Sequence, residues 1–370
     1  MAGLLAVAGL LLVSPVRGDW LDDVDYTRLR NELGAAIPTG AGVVVSQVEA
    51  NQGEDPDFLY LPDPAHAQLA GKTFTDGSGI STGPSDHSTR VGRFFYGTAL
   101  SAAPGVTDVT GFEANQYVNQ VLQFSTGRTP SAQAFQVQNH SWIGRGVDPP
   151  AAAVDVLQRL DYVIDTSEMT VVVGLDNDVG TVPDLMAQGY NTISVGRSDG
   201  QHSFGTTTLY GTGRIKPEIV VPTNTTSWAT AMVSSAAAML HETGAGTNAV
   251  RTEPLKAILL AGATKGEFPN WSRTSTRPLD TRFGAGELNI HNSHRIMTAG
   301  EMNGSTSQPA AAAGLTGWDY NNAAAPAAPV YYDLVINPGQ VATELSAALA
   351  WNVRTIDSDP APQVFSPSTS

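Results

Sequence analysis

The sequence predicts an α/β protein with a mostly parallel sheet and helices on both faces, and three observations lead there. Residues 42–49, 169–175, 192–195 and 218–221 are short runs dominated by apolar and β-branched side chains, as expected of strands buried on both sides. Residues 113–123, 151–164, 232–240 and 253–261 carry helical signals instead, the second of them opened by Pro149-Pro150. The two kinds of segment alternate along the chain, the order of a parallel sheet whose crossovers are helices.

Composition narrows the function. With 370 residues, 41% of them hydrophobic, the chain can bury a sizeable core and form one large domain plus a smaller one. Its 35 acidic against 20 basic residues give a formal charge of -15. Such a surface repels phosphates, so nucleic acid is set aside as a partner. The absence of cysteine excludes disulfides, thiol catalysis and Cys-ligated metal. Residues 4–13 are apolar and lead into Ser14-Pro15-Val16-Arg17-Gly18, which reads as a signal peptide over 1–18 and a secreted or cell-envelope protein. The customary basic residue before the apolar run is missing. No later run reaches the roughly 18 apolar residues of a membrane helix, so no integral span is expected.

Residues 19–300 are expected to form the main domain. A short helix over 26–33 precedes Pro38-Thr39-Gly40, and the strand over 42–49 ends in a carboxylate, Glu49. Residues 52–83, rich in Asp, Pro and Gly, read as loop with little regular structure. From Ser88 a helical pattern with Val91, Phe94, Phe95 and Leu100 on one side runs to Ala103-Pro104-Gly105. Strands at 106–109 and 134–139 flank the helix at 113–123. Beyond the domain, residues 301–329 are an Ala/Pro/Gly-rich linker. Residues 330–370 read as a short C-terminal β segment, with strands at 330–336 and 345–353 and a loose tail from 357.

Four polar residues fall at strand tips or helix starts: Glu49, His87, Asn177 and Ser227. In a parallel α/β sheet the strand tips share one edge, so residues distant in sequence can meet there. Ser227 sits in Thr225-Thr226-Ser227-Trp228-Ala229-Thr230-Ala231-Met232-Val233, where an extended segment gives way to an Ala-rich helix. Alone, that stretch suits a helix cap better than a nucleophile. Serine catalysis, however, needs a base, an acid to orient it and an oxyanion donor. All these parts are present, in the order acid, His, Asn, Ser.

The surrounding motifs resemble the subtilisin-like serine peptidases. Asp86-His87-Ser88-Thr89-Arg90-Val91-Gly92 is similar to the family's histidine segment, and Thr226-Ser227-Trp228-Ala229-Thr230 to its serine motif. Val172-Val173-Gly174-Leu175-Asp176-Asn177 resembles the strand ending in the oxyanion asparagine. Asn139-His140-Ser141-Trp142-Ile143-Gly144 resembles the N-x-S-x-G substrate-binding segment. Ala103-Pro104, Lys216-Pro217-Glu218, Gly262-Ala263-Thr264 and Phe283-Gly284-Ala285-Gly286 keep the same order, so the resemblance spans about residues 40–296. It implies a three-layer subtilisin-like domain and endopeptidase activity on a polypeptide substrate. The implied triad is Glu49-His87-Ser227, with Asn177 at the oxyanion and Ser141, Trp142, Ile143 and Gly144 on the substrate main chain. Family members often carry structural calcium, yet no site for it, or for another cofactor or metal, is evident in this sequence.

Departures from the family pattern keep a second reading open, a non-catalytic binding or surface protein on the same scaffold. Glu49 stands where the family has Asp, with Glu54, Asp55 and Asp57 as rivals in the following loop. Ser88 replaces Gly, Arg90 a second His, and Ala231 a Pro. Asp176 puts a charge beside Asn177, expected to point away from a developing oxyanion.

Overall fold

Seven parallel strands form the central sheet: β1 Val45–Glu49, β2 Thr73–Asp76, β3 Asp108–Glu113, β4 Val137–His140, β5 Thr170–Gly174, β6 Ile193–Arg197 and β7 Ile219–Val221. Their order is β7-β6-β5-β4-β1-β3-β2. The computed structural model describes residues 19–310, 312–321, 329–358 and 364–367; the candidate signal peptide lies outside them. Among the described residues no helix is long and apolar enough to cross a membrane.

Strand alternation divides the core into two layers. On one face Val45, Val172, Val195 and Val221 join a cluster with helices α1 Tyr26–Leu33, α2 Asp86–Phe95, α4 Thr226–Thr243, α5 Thr252–Gly262 and α6 Ile290–Thr298. On the other, Val48, Val171 and Val173 pack against Val156, Leu160, Val163 and Ile164 of α3 Pro150–Ser167. Helices therefore cover both faces of the sheet. The central α4 is buried from Ala229 to His241, and its alanines let its backbone lie close to the sheet. Gly174 permits the closest approach, because a Cβ there would stand 2.9 Å from Thr230 Oγ1. Helix α4 runs without a break from Thr226 to Thr243.

The structure corrects several boundaries. Residues 52–83 are not all loop: β2 closes one edge of the sheet, and its exposed threonines and partly buried Asp76 lack the apolar signature of a buried strand. Helix α2 stops at Phe95 instead of reaching 103. The next strand lies at Asp108–Glu113, later than the expected 106–109, its apolar pattern interrupted by Gly111. The helix expected over 113–123 is shorter, one turn at Ala114–Gln116 that widens into a π-turn at Tyr117–Val121.

The C-terminal segment also differs. Within 330–336 the pairing is limited to Asp333–Leu334 with Ala312–Ala313 and a single bridge from Tyr331 to Ser305, and 345–353 forms no strand. That stretch bonds to side chains of the main domain instead: Asn191 brackets Val353 through both backbone groups at 2.8 and 3.0 Å, and Asn352 donates to Thr252 Oγ1. The expected loose tail contains a hairpin of β8 Thr355–Ser358 and β9 Val364–Pro367.

Candidate active site

Local rules place each reacting side chain. In β1 the period of two sends Val45, Gln47 and Glu49 to the face covered by α2 and α4. Ser85 caps α2 by accepting from Ser88 N, which sets His87 in the first turn. Thr225 caps α4 by accepting from Trp228 N at 3.2 Å. The capping role that Ser227 could have filled is thus taken by Thr225, and the Ser227 hydroxyl is left for other bonds.

Those three elements bring Glu49, His87 and Ser227 together. Glu49 Oε2 lies 2.8 Å from His87 Nδ1, and His87 Nε2 lies 3.1 Å from Ser227 Oγ. A carboxylate can only accept here, so Nδ1 carries the proton and Nε2 presents its lone pair to the serine hydroxyl. Glu49 is 1% exposed, while the His87 side chain keeps 30% of its surface. The indole of Trp228 tilts against the imidazole at 5.4 Å and is flanked in turn by Phe94 at 5.8 Å. Glu54, Asp55 and Asp57 stand in an exposed loop, and none bonds to His87.

Burial and charge compete at the pair. Burial pushes the Glu49 carboxyl up, while the hydrogen bonds from His87 and Gln47 limit the rise. Burial also disfavours the His87 cation, but the hydrogen bond and charge of Glu49 outweigh it and hold the imidazole above its ordinary 6.5. The two groups titrate as a unit.

A cleft of about 190 Å³ opens beside Ser227, lined by Ser141, Trp142, Ile143, Gly174, Leu175, Asp176, Asn177 and Thr226. The Asn177 amide is oriented by Thr226, whose N–H donates to Oδ1 at 2.8 Å and whose hydroxyl lies 3.2 Å away. The Thr226 N–H needs an acceptor and only the oxygen of an amide can accept, so the Asn177 NH₂ remains as the donor end. The Ser227 N–H belongs to the first turn of α4, where amides have no intrahelical acceptor.

The four residues of the expected substrate segment divide. Ser141, Trp142 and Ile143 line the cleft, whereas Gly144 packs against Leu185 and gives its carbonyl to Leu185 N. The Ser141 hydroxyl is occupied structurally: it donates to Ser227 O at 3.0 Å and accepts from Asn139 Nδ2 at 2.9 Å. Asn139 in turn accepts from Ser234 of α4, so this chain ties β4 to the serine helix. Trp142 Nε1 donates to His140 Nδ1, and burial presses His140 down to about 3, keeping it neutral. Asp176 does face the cleft, but Arg145 neutralises it at 2.8 Å. Among the described residues no group of three or more His, Asp or Glu could hold a metal ion.

Three further residues support the arrangement, with local signals of different strength. Gln47 is a polar residue in a buried β-branched run, two positions before Glu49, and that spacing alone placed it on the same face. Thr225 was a visible cap candidate. Arg145 had no signal, since its pairing with Asp176 spans 31 residues.

No family model matches the chain, and no curated protein matches it in sequence. Among solved structures it is similar to the prenylagaramide maturation protease PagA at 18% identity and TM-score 0.45, over 68% of this chain and 92% of that one. It is similar to the patellamide maturation protease PatA at 15% identity and TM-score 0.45, over 70% and 97%. A third likeness is to MycP1 with its N-terminal propeptide removed, at 17% identity and TM-score 0.44, over 74% and 96%.

Proposed function

We propose that the protein is a serine endopeptidase that hydrolyses polypeptides through an acyl-enzyme on Ser227. The observation that carries this reading is the unbroken hydrogen-bonded line from buried Glu49 through His87 to Ser227, at 2.8 and 3.1 Å. His87 Nε2 takes the Ser227 proton as Oγ attacks the scissile carbonyl. Glu49 holds the ring in the required tautomer and stabilises the imidazolium. The Asn177 NH₂ and the Ser227 N–H bind the oxyanion. His87 then hands its proton to the leaving amine, and water, deprotonated by the same base, releases the acyl group. Trp142, Ile143 and Leu175 give the cleft apolar walls suited to a substrate side chain. Residues 4–13 support export as the route to that substrate.

Hydrolysis of a mixed peptide library tests the proposal. Wild-type protein is expected to cleave it, and Ser227→Ala to lose roughly 10⁶ in rate, with Asp55→Asn and Asp57→Asn close to wild type. Cleavage that survives Ser227→Ala would assign the activity elsewhere.

A further inference from the structure

Glu49 has two oxygens, and only one of them meets His87. The other, Oε1, accepts from Gln47 Nε2 at 2.9 Å. Gln47 is 1% exposed, and every polar atom of its amide is engaged. Its Nε2 also lies 3.0 Å from Ser88 O and 2.9 Å from Ser88 Oγ, while its Oε1 accepts from Tyr96 OH at 2.6 Å. The amide has one orientation: the Ser88 carbonyl and the Glu49 carboxylate can only accept, so the NH₂ faces them and the oxygen faces the tyrosine. Tyr96 is fully buried and its hydroxyl is held well above its ordinary value by burial, then by the Glu49 charge, so it stays a donor. Room for that hydroxyl comes from Gly92, where a Cβ would stand 2.6 Å from it.

We infer that Gln47, locked by Tyr96 and Ser88, is a positioning residue that fixes the Glu49 carboxylate so that its second oxygen meets His87 Nδ1. The inference rests on the peptidase reading for its catalytic consequence. A glutamate has one more rotatable bond than an aspartate, so a buried glutamate anchored by a single partner could turn its carboxylate away from the imidazole. The Gln47 amide removes that freedom by binding the opposite oxygen, and it contributes a hydrogen bond to the charged form in a site that burial would otherwise neutralise. Ser88 and Tyr96 both belong to the histidine-bearing region, since Ser88 follows His87 and Tyr96 follows α2. The same amide therefore registers β1 against α2 and sets the distance between acid and base.

The test pairs two readouts on Gln47→Leu, which keeps the volume and removes the donor. One is the rate of Ser227 labelling by a fluorophosphonate as a function of pH. The other is the downfield proton resonance of the His87 Nδ1–H bonded to Glu49, assigned by its loss in Glu49→Gln and independent of turnover. Gln47→Leu is expected to label about 10- to 100-fold more slowly, part of the 10²–10⁴ that the base itself supplies. Its downfield resonance is expected to move upfield or broaden. Tyr96→Phe, which removes one oxygen, should move both readouts in the same direction by less, and it serves if Gln47→Leu does not fold. A resonance and a labelling profile unchanged in a folded variant would overturn the assignment. If the wild type fails to label, the peptidase reading falls, and the resonance in Gln47→Leu still decides whether Gln47 positions Glu49.

Discussion

Glu49 and Glu218 are both buried glutamates at strand ends of the central sheet, Glu49 closing β1 and Glu218 directly preceding β7, at 1% and 8% exposure, and they answer to opposite surroundings. Glu218 lies between two ammonium groups, Lys256 at 2.6 Å and Lys216 at 3.2 Å, and also accepts from Ser194 N at 2.8 Å. Burial alone would raise it, but the two lysines overcome that and hold it at about 2. It is a fixed charge that closes the sheet edge against α5. Glu49 has no permanent cation; its partners are a neutral amide and an imidazole that gains and loses a proton. Burial keeps its carboxyl high, so its charge is stabilised most when His87 is protonated. One carboxylate is built to hold structure, the other to respond to its neighbour.

The largest separation between them should come from neutralising each. Glu49→Gln is expected to lower the rate of hydrolysis by about 10³–10⁴, because the amide favours the wrong imidazole tautomer, with little change in unfolding midpoint. Glu218→Gln should do the reverse. Leaving the buried Lys216 ammonium and the partly buried Lys256 ammonium short of their counterion costs roughly 3–5 kcal/mol in urea unfolding, while the folded fraction keeps its activity per molecule. Comparable activity losses in the two variants would break the distinction.

Acid titration separates the two glutamates by pH. His87 must be neutral to act as base, so hydrolysis per folded molecule should fall as pH drops through its value, which lies above 6.5. The folded value of Glu218, about 2, lies below its ordinary 4.5. Its contribution to stability is therefore complete above 4.5 and lost as pH falls toward 2. Activity should disappear while circular dichroism still reports a folded protein; coincident transitions would contradict this.

The smallest effect expected is at Asp176, a partly exposed carboxylate beside the cleft. Arg145→Ala should slow turnover a few-fold, on the order of 1 kcal/mol, by leaving that charge unpaired near the oxyanion. Asp176→Gly added to it should restore the rate.

How much of this was legible depended on whether a residue's neighbours were near in sequence. The strand over 169–175 and the helix over 151–164 were readable because burial on both faces and a proline start leave local signals. Glu49, His87, Asn177 and Ser227 each sit inside a short motif, and the structure brings the first two and Ser227 into one hydrogen-bonded line. Strand β2 was not readable, since an edge strand with exposed threonines lacks an apolar run. The motif around Ser141 points to the substrate main chain, whereas the backbone partner of its hydroxyl, Ser227 O, lies 86 residues away, and no local pattern encodes that. Gln47 was visible as an oddity, a polar side chain within a β-branched strand. Its purpose required knowing that Tyr96, 49 residues on, would reach it.

The most direct test is mass spectrometry of the protein after reaction with a fluorophosphonate at pH 8. A single adduct on Ser227, formed rapidly in the wild type and about 10³-fold or more slowly in Glu49→Gln, is the predicted result. An adduct on another residue, or equal rates in the two proteins, would contradict the assignment of Glu49, His87 and Ser227 as one catalytic unit.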